Sequence, residues 1–134
     1  MDTERKIRYR QKLNFIIEKV HDLNQSADDD IKKDALLYRI QTSIESAMDI
    51  IAMLVKDCGR DVSDDYGNIH VLEKERVLNA AQAKKMAQLN GLRNAIVHKY
   101  NSFEEKTVIK ERSIIKKLLE GFVERVEETI NKNK

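Results

Sequence analysis

The sequence predicts an all-α protein, folded as an antiparallel up-and-down helical bundle. Its 134 residues contain no proline and only four glycines, so little in the chain interrupts a helix. Hydrophobic residues make up 41% of the chain and charged residues 36%, a balance typical of amphipathic helices. Apolar residues recur at intervals of three and four, and no strand pattern competes with them. Because no linker-like stretch divides the chain, we expect residues 1–134 to form a single domain.

Two long helices are predicted in the first half of the chain. The first covers about residues 3–24, and its apolar stripe consists of Leu13, Ile16, Ile17, Val20 and Leu23. Ser26, followed by three aspartates, indicates the start of the second helix, because a hydroxyl caps free amides and acidic residues favour the positive end of the helix dipole. Gly59 is placed to end this helix in a left-handed conformation. The stripe of the second helix consists of Leu36, Ile40, Ile44, Ala47, Ile51, Leu54 and Val55.

A loop and two more helices follow. Residues 60–68 are rich in types that favour turns, which predicts a loop before a short helix at about residues 69–75. Asn79 and Gln82 resemble a capping pair, and they predict a helix over residues 80–97.

A last helix is predicted after a capping box formed by Ser102 and Glu105. Its apolar stripe consists of Ile115, Leu119, Phe122, Val126 and Ile130. The sequence contains no internal repeat and no glycine-rich loop of the kind that cradles phosphates.

The helix predicted over residues 80–97 has two unlike faces. Its core-facing stripe consists of Met86, Leu89, Leu92 and Ile96. The opposite face carries small or polar residues at steps of three or four: Ala80, Ala83, Ala87, Gly91, Asn94 and His98. A solvent-facing helix in this lysine- and glutamate-rich chain would carry long charged residues, so we expect this face to pack against another helix, with a symmetry-related copy as one candidate. The alternative is that alanine is present only because it favours helix.

The charge balance limits how this chain could hold nucleic acid. The formal net charge of +2 is too small for binding through a strong overall field. Any contact with RNA would therefore be local. One candidate is a basic stretch near the N-terminus, formed by Arg5, Lys6, Arg8, Arg10 and Lys12. The alternative is that this stretch is an ordinary solvated helix face.

The sequence also bears on location and cofactors. No apolar run approaches the roughly 20 residues that span a bilayer, and the charged N-terminus lacks an apolar signal region, so we expect a cytoplasmic protein. The single cysteine, Cys58, has no partner for an intrachain disulfide and no second cysteine with which to bind a metal, so we expect a buried or idle thiol. No cluster of carboxylates and histidines has metal-ligand spacing, so we expect no metal and no other cofactor.

The run from Arg93 to Tyr100 concentrates the chemistry of the chain near a helix end. Arg93 offers a fixed cation whose fork matches phosphate oxygens, and His98 offers a side chain that exchanges protons near neutral pH. Together these groups suit work on a phosphodiester. Arg93 and His98 are five residues apart, about 140° around an ideal helix, so they do not simply stack. A long arginine side chain, a loosened last turn or pairing across a dimer would each bring them onto one phosphate.

Two segments resemble the HEPN superfamily, specifically the HepT-like toxins of HEPN/MNT toxin–antitoxin systems, in which MNT is a minimal nucleotidyltransferase. The segment Arg39–Ile51 looks like the second core helix of that family, and Gly91–Tyr100 looks like its active-site run, in which Arg, a polar residue, His and Tyr follow at the same spacing. The resemblance implies a helical bundle that dimerises. It also implies a ribonuclease site in a cleft at the dimer interface.

The resemblance further implies a role for each polar residue of the run. Arg93 would hold the scissile phosphate, Asn94 would position Arg93 or the substrate, and His98 would transfer protons. Tyr100 matches the tyrosine to which the nucleotidyltransferase antitoxin adds AMP, a modification that silences the toxin. Without the resemblance, His98 would be interpreted as a helix cap, Arg93 as a surface ion-pair partner and Tyr100 as a packing residue.

The sequence therefore predicts the toxin of a type VII-like toxin–antitoxin pair. We expect a metal-independent endoribonuclease that cleaves RNA by attack of the 2′-hydroxyl and is inactivated by AMP transfer to Tyr100. The expected partners are RNA, a minimal nucleotidyltransferase antitoxin and a second copy of the chain. The alternative is a non-catalytic helical dimer that binds a nucleotidyltransferase or a nucleotide, and a purely structural helical adaptor ranks third.

Overall fold

The computed structural model describes residues 1–98 and 105–132, which form six α-helices. The helices are α1 (Thr3–His21), α2 (Asp30–Asp57), α3 (Asp65–Lys74), α4 (Ala80–His98), α5 (Glu105–Lys110) and α6 (Arg112–Lys132). The described residues contain no strand, so the prediction of an all-α fold is confirmed. Within the same residues, no helix is both long and apolar enough to cross a membrane.

The core lies along α2, which packs against each of the other five helices. Ile40, Ile44 and Ile51 of α2 are completely buried, and the neighbouring helices add most of their predicted apolar stripes to the same cluster. One stripe residue is wrongly predicted. Ile17 is 44% exposed, because it lies about 100° around α1 from the fully buried Ile16 and both cannot face the core.

Two of the predicted helix boundaries are confirmed by hydrogen bonds. Gly59 has a φ of +74°, and the amides of residues 59 and 60 donate to the carbonyls of Lys56 and Val55, which is the Schellman pattern at a helix C-terminus. The Asn79 amide donates to the Gln82 side chain at 2.9 Å, and the Gln82 amide donates to the Asn79 side chain at 2.8 Å. This reciprocal pair starts α4 at the predicted residue.

Two other boundaries differ from the predictions. The cap of α2 is Asp29 and not Ser26, because the Asp29 carboxylate accepts a hydrogen bond from the Lys32 amide at 2.8 Å. The short third helix begins at Asp65, four residues before the predicted start, because the side chain of Asp64 caps it. Asp64 and Asp65, which fall in the predicted loop, are therefore helix-starting residues.

The last predicted helix is broken into α5 and α6 at Glu111. If the apolar stripe of α6 continued one turn towards the N-terminus, it would include Arg112. A charged arginine cannot replace an aliphatic residue in the core. The Arg112 guanidinium instead donates to the backbone carbonyls of Ile109, at 2.6 Å, and Gln25, at 3.2 Å. Ser102, the predicted cap of this helix, lies outside the described residues.

A polar cluster joins the N-terminal end of α1 to the C-terminal end of α2. The buried Tyr9 hydroxyl donates to the Asp57 carboxylate at 2.5 Å, and Arg5 pairs with the same carboxylate at 3.0 Å. Burial raises the pKa of Tyr9 well above its ordinary value, and the hydrogen bond to Asp57 raises it further. Lys12 pairs with Asp49 at 3.4 Å, so part of the basic N-terminal stretch is engaged by acids of α2.

Candidate functional site

Three of the four predicted site residues lie on the C-terminal half of α4. Arg93 and Asn94 are half-buried, and His98, the last residue of the helix, is exposed. Asn94 and His98 are four residues apart and share a face of α4, whereas Arg93 lies about 140° around the helix from His98. Tyr100, the predicted modification site, lies outside the described residues.

The side chain of Arg93 turns towards the N-terminal end of α3. Its Nη2 atom donates to the Asp65 Oδ2 atom at 3.0 Å and to the Asn90 Oδ1 atom at 3.4 Å. The Arg93 side chain is 20% exposed and that of Asp65 32% exposed, so the pair is partly shielded from water. Asn90 is 1% exposed. An ion pair at the surface is the alternative interpretation of Arg93. The structure shows an ion pair, but its two side chains are more buried than those of an ordinary surface pair.

The turn before α3 holds Asp65 in place. The Asp64 side chain caps the helix by accepting from the Gly67 amide at 2.7 Å. Asn68, 2% exposed, accepts from the Ser63 amide at 2.8 Å and donates to the Ser63 carbonyl at 3.3 Å. These bonds are local to the turn and the first two turns of α3. The position of Asp65 is therefore set by its own helix start and does not depend on Arg93.

The two terminal nitrogens of the Arg93 guanidinium differ in their contacts with the described residues. Nη2 is used by Asp65 and Asn90, and Nε is buried without a hydrogen-bond acceptor among the described residues. Nη1 makes no hydrogen bond to another residue within residues 1–98 and 105–132. A guanidinium held in this way can donate from Nη1 to an anionic oxygen such as that of a phosphate.

The middle of the small-residue face of α4 packs inside the chain, whereas Ala80 and His98 at its two ends are exposed. Ala83 is buried in the core, and Ala87 and Asn94 are half-buried. The hydroxyl of Tyr66, on α3, lies 3.5 Å from where a Cβ of residue 91 would be, an ordinary van der Waals distance, so α3 lies against this part of the face. The prediction that this face packs against another helix is confirmed at Gly91, but the helix is α3 of the same chain. The face is therefore no argument for a second copy.

Asp65 and Asn90 contact Arg93, and neither is among the site residues predicted from the sequence. Asn90 precedes Arg93 by three residues on one helix, so its proximity follows from helix spacing and could have been found. Asp65 is 28 residues away, in a segment whose composition predicts a loop. Its contact with Arg93 depends on how α3 packs on α4, for which the sequence carries no signal.

Cys58 and the acidic side chains do not form a second reactive centre. Cys58 is exposed at the end of α2, so of the two predicted states, a buried or an idle thiol, the buried one is wrong. The protein around the sulfur still removes part of its water and raises the pKa of the thiol, and the carboxylates of Glu75 and Asp57 raise it further. Over residues 1–98 and 105–132, no group of three or more His, Cys, Asp or Glu side chains is arranged to hold a metal ion.

Comparison with known proteins places the chain in a family. A model of the family described as "Ribonuclease HepT-like" matches residues 9–129. A relative from Archaeoglobus fulgidus, named "Putative RNase", is 38% identical over 128 residues, which cover 96% of this chain and 97% of the relative.

Two solved structures share the fold at low sequence identity. YutE from Bacillus subtilis, described as a cytosolic protein of unknown function, has a TM-score of 0.83 and 16% identity, with 96% of this chain and 92% of YutE covered. A HEPN toxin from Shewanella oneidensis, solved tri-AMPylated and in complex with its MNT antitoxin, has a TM-score of 0.74 and 16% identity, with 96% and 99% covered. The family match and the relative together confirm the resemblance found in residues 39–51 and 91–100: the chain belongs to the HepT-like ribonucleases of the HEPN superfamily.

Proposed function

We propose that this chain is an endoribonuclease whose site is formed by Arg93, Asn94 and His98, and that it acts as the toxin of a toxin–antitoxin pair in the cytoplasm. The observation that supports the proposal most strongly is the state of Arg93. Its guanidinium is held by Asp65 and Asn90 through Nη2, while Nη1 makes no hydrogen bond to the described residues, on the same half-helix as the histidine. Membership of a ribonuclease family makes an RNA phosphate the expected anion.

The proposed reaction is attack of an RNA 2′-hydroxyl on the adjacent phosphorus. The new bond joins the 2′-oxygen to phosphorus, and the bond from phosphorus to the 5′-oxygen breaks, which leaves a 2′,3′-cyclic phosphate and a 5′-hydroxyl. A neutral His98 would take the proton of the 2′-hydroxyl, or a charged His98 would give a proton to the leaving oxygen. Arg93 would stabilise the charge that develops on the phosphate oxygens. Asn94 would orient Arg93 or the substrate.

The spacing of Arg93 and His98 supports a site completed by a second copy of the chain. The two residues are separated by about 7.5 Å along the axis of α4 and by about 140° around it. One phosphate that contacts both from a single helix needs the full reach of the arginine side chain, but Arg93 is already directed towards Asp65. We therefore propose a homodimer of single-domain chains, residues 1–134 each, in which Arg93 of one copy and His98 of the other act on the same phosphate.

The proposed regulation is AMP transfer to Tyr100 by a minimal nucleotidyltransferase antitoxin. Support comes from the Shewanella oneidensis HEPN toxin, which was solved in the tri-AMPylated state with its MNT antitoxin. Tyr100 follows His98 by two residues in the sequence. Nucleotide phosphates so close to the site would add bulk and negative charge where RNA must enter, and both effects would block cleavage.

Cleavage of end-labelled RNA by the unmodified protein, in the presence of a chelator, tests the proposal. Mass spectrometry should first show that Tyr100 carries no nucleotide. His98→Ala should lower the rate about 10²- to 10⁴-fold, because it removes general acid–base catalysis. His21→Ala is a matched control, since His21 is also exposed and also ends a 19-residue helix.

The control variant should retain the wild-type rate. A loss smaller than about tenfold in His98→Ala would contradict proton transfer by His98. An unmodified protein that binds RNA without cutting it would favour the alternative, a non-catalytic dimer that binds its nucleotidyltransferase partner or a nucleotide.

A further inference from the structure

We infer that Asp65 is a positioning residue for Arg93, whose carboxylate fixes the guanidinium so that Nη1 faces the scissile phosphate. The inference rests on the proposed function of Arg93, and it assigns a role to a residue on a different helix. Asp65 need not touch the RNA itself. It acts through the 3.0 Å contact between its Oδ2 atom and Arg93 Nη2.

Three constraints meet on one flexible side chain. An arginine side chain has many rotamers in solution, and holding it in one of them before substrate binds lowers the barrier to reaction. Here Nη2 is fixed by Asp65 and by the buried amide of Asn90, and Nε is enclosed by protein. The guanidinium plane is therefore largely set before RNA arrives, and Nη1 is the terminal nitrogen that makes no hydrogen bond to the described residues.

Local hydrogen bonds hold the start of α3, where Asp65 lies. Asp65 is in the first turn of α3, directly after the Asp64 cap and the hydrogen bonds between Ser63 and Asn68. Because these contacts involve only α3 and the turn before it, they hold the backbone at Asp65 in position whether or not Arg93 is engaged. A fixed carboxylate that meets a long cation is an effective way to orient that cation.

Charge distinguishes a positioning role from a binding role. A carboxylate next to a phosphate-binding arginine repels RNA, so Asp65 should not strengthen binding of the substrate. Any contribution of Asp65 to the cleavage rate must therefore come from its effect on the orientation of Arg93, as charge develops on the phosphate in the transition state. Removing the charge should therefore lower the cleavage rate and leave RNA affinity unchanged or improved, whereas a purely structural role would lower both or neither.

The first experiment compares wild type with Asp65→Asn. Single-turnover cleavage gives the rate, and an RNA with 2′-deoxyribose at the cut site gives the affinity without cleavage. Asp65→Asn should lower the cleavage rate about 10- to 100-fold, because a poorly oriented group loses that much. Its affinity for the deoxy-substituted RNA should be equal to or higher than that of wild type.

The chain offers a matched control and a conservative variant. Glu75 pairs with Arg60, also at 3.0 Å, so Glu75→Gln removes the same charge from a pair of the same length and should change neither quantity. Asp65→Glu keeps the charge and should retain more of the cleavage rate than Asp65→Asn. Circular dichroism checks that every variant keeps its helix content.

The outcomes separate this inference from the proposed function. Wild-type cleavage of RNA would uphold the proposed function. The inference about Asp65 would be overturned if the Asp65→Asn variant cut RNA at the wild-type rate, or if its RNA affinity fell in parallel with its cleavage rate. If the wild type does not cut, the proposed function fails, and the side-chain Nε–H resonance of Arg93 still tests the contact. That resonance should broaden or exchange faster with solvent in Asp65→Asn, and an unchanged resonance would overturn the positioning role on its own.

Discussion

Arg93→Lys separates the charge of Arg93 from its shape. A lysine ammonium occupies roughly the position of the arginine Cζ atom, about 1.3 Å short of Nη2. The 3.0 Å contact with Asp65 would therefore lengthen to as much as about 4.3 Å, and the second terminal nitrogen would be lost. In compensation, a methylene would replace the buried Nε, which has no acceptor among the described residues. The free energy of unfolding should therefore change by only about 1 kcal/mol.

The effect on catalysis should be much larger than the effect on stability. Loss of one oriented donor to the developing charge is expected to lower the cleavage rate about 10²- to 10³-fold, or roughly 3 to 4 kcal/mol of barrier. RNA affinity should fall less than about tenfold, because the positive charge remains. Single-turnover cleavage, binding of deoxy-substituted RNA and urea unfolding measure the three quantities.

Arg60→Lys is the matched control for this experiment. Arg60 is also paired with a carboxylate at 3.0 Å, but its side chain is 53% exposed, so the change should leave cleavage unaltered. If Arg93→Lys cut RNA within about threefold of the wild-type rate, the geometry of the guanidinium would not matter and the proposed role of Arg93 would be wrong.

Three further predictions follow from contacts outside the site. Tyr9→Phe should lower the free energy of unfolding by about 1 to 2 kcal/mol at neutral pH through loss of the hydrogen bond to Asp57. Because Tyr9 has a raised pKa in the fold and ionises near its ordinary value when unfolded, wild-type stability should fall as pH rises above about 10, and urea titrations should show this slope flattened in Tyr9→Phe. Gly59→Ala should cost about 1 to 2 kcal/mol in the same assay, from left-handed strain without a clash. Cys58 should react with iodoacetamide more slowly than a free thiol at neutral pH, with the gap closing in alkaline buffer, and Glu75→Gln should speed the reaction.

The parts of the fold that depend on local physics could be predicted from the sequence. Helix periodicity identified the buried stripes, and side-chain chemistry identified the Gly59 terminus and the Asn79–Gln82 cap, because each involves contacts within four or five residues. The break at Glu111 was not predicted, since it depends on where Arg112 finds carbonyl partners in the folded chain. Among several adjacent aspartates, local rules also do not select which one becomes the cap.

In the candidate site too, local features could be predicted from the sequence and contacts between distant segments could not. Placement of Arg93, Asn94 and His98 on the last turns of one helix followed from periodicity, and their proposed roles followed from the resemblance to the HEPN superfamily. The anchoring of Arg93 by Asp65 did not follow, because it depends on the packing of α3 against α4 across 28 residues of sequence. The small face of α4 was correctly predicted to pack against a helix, but periodicity cannot distinguish a helix of the same chain from one of a second copy.

The most direct test of the account uses an RNA with a single 2′-deoxyribose at the mapped cut site, incubated with the unmodified protein in a chelator. We expect the unsubstituted RNA to be cut to a 2′,3′-cyclic phosphate and a 5′-hydroxyl. We also expect the substituted RNA still to bind but to stay intact at that position, since the attacking hydroxyl is missing. Cleavage at the deoxy position at a comparable rate would contradict attack by the 2′-hydroxyl, and with it the proposed chemistry of Arg93 and His98.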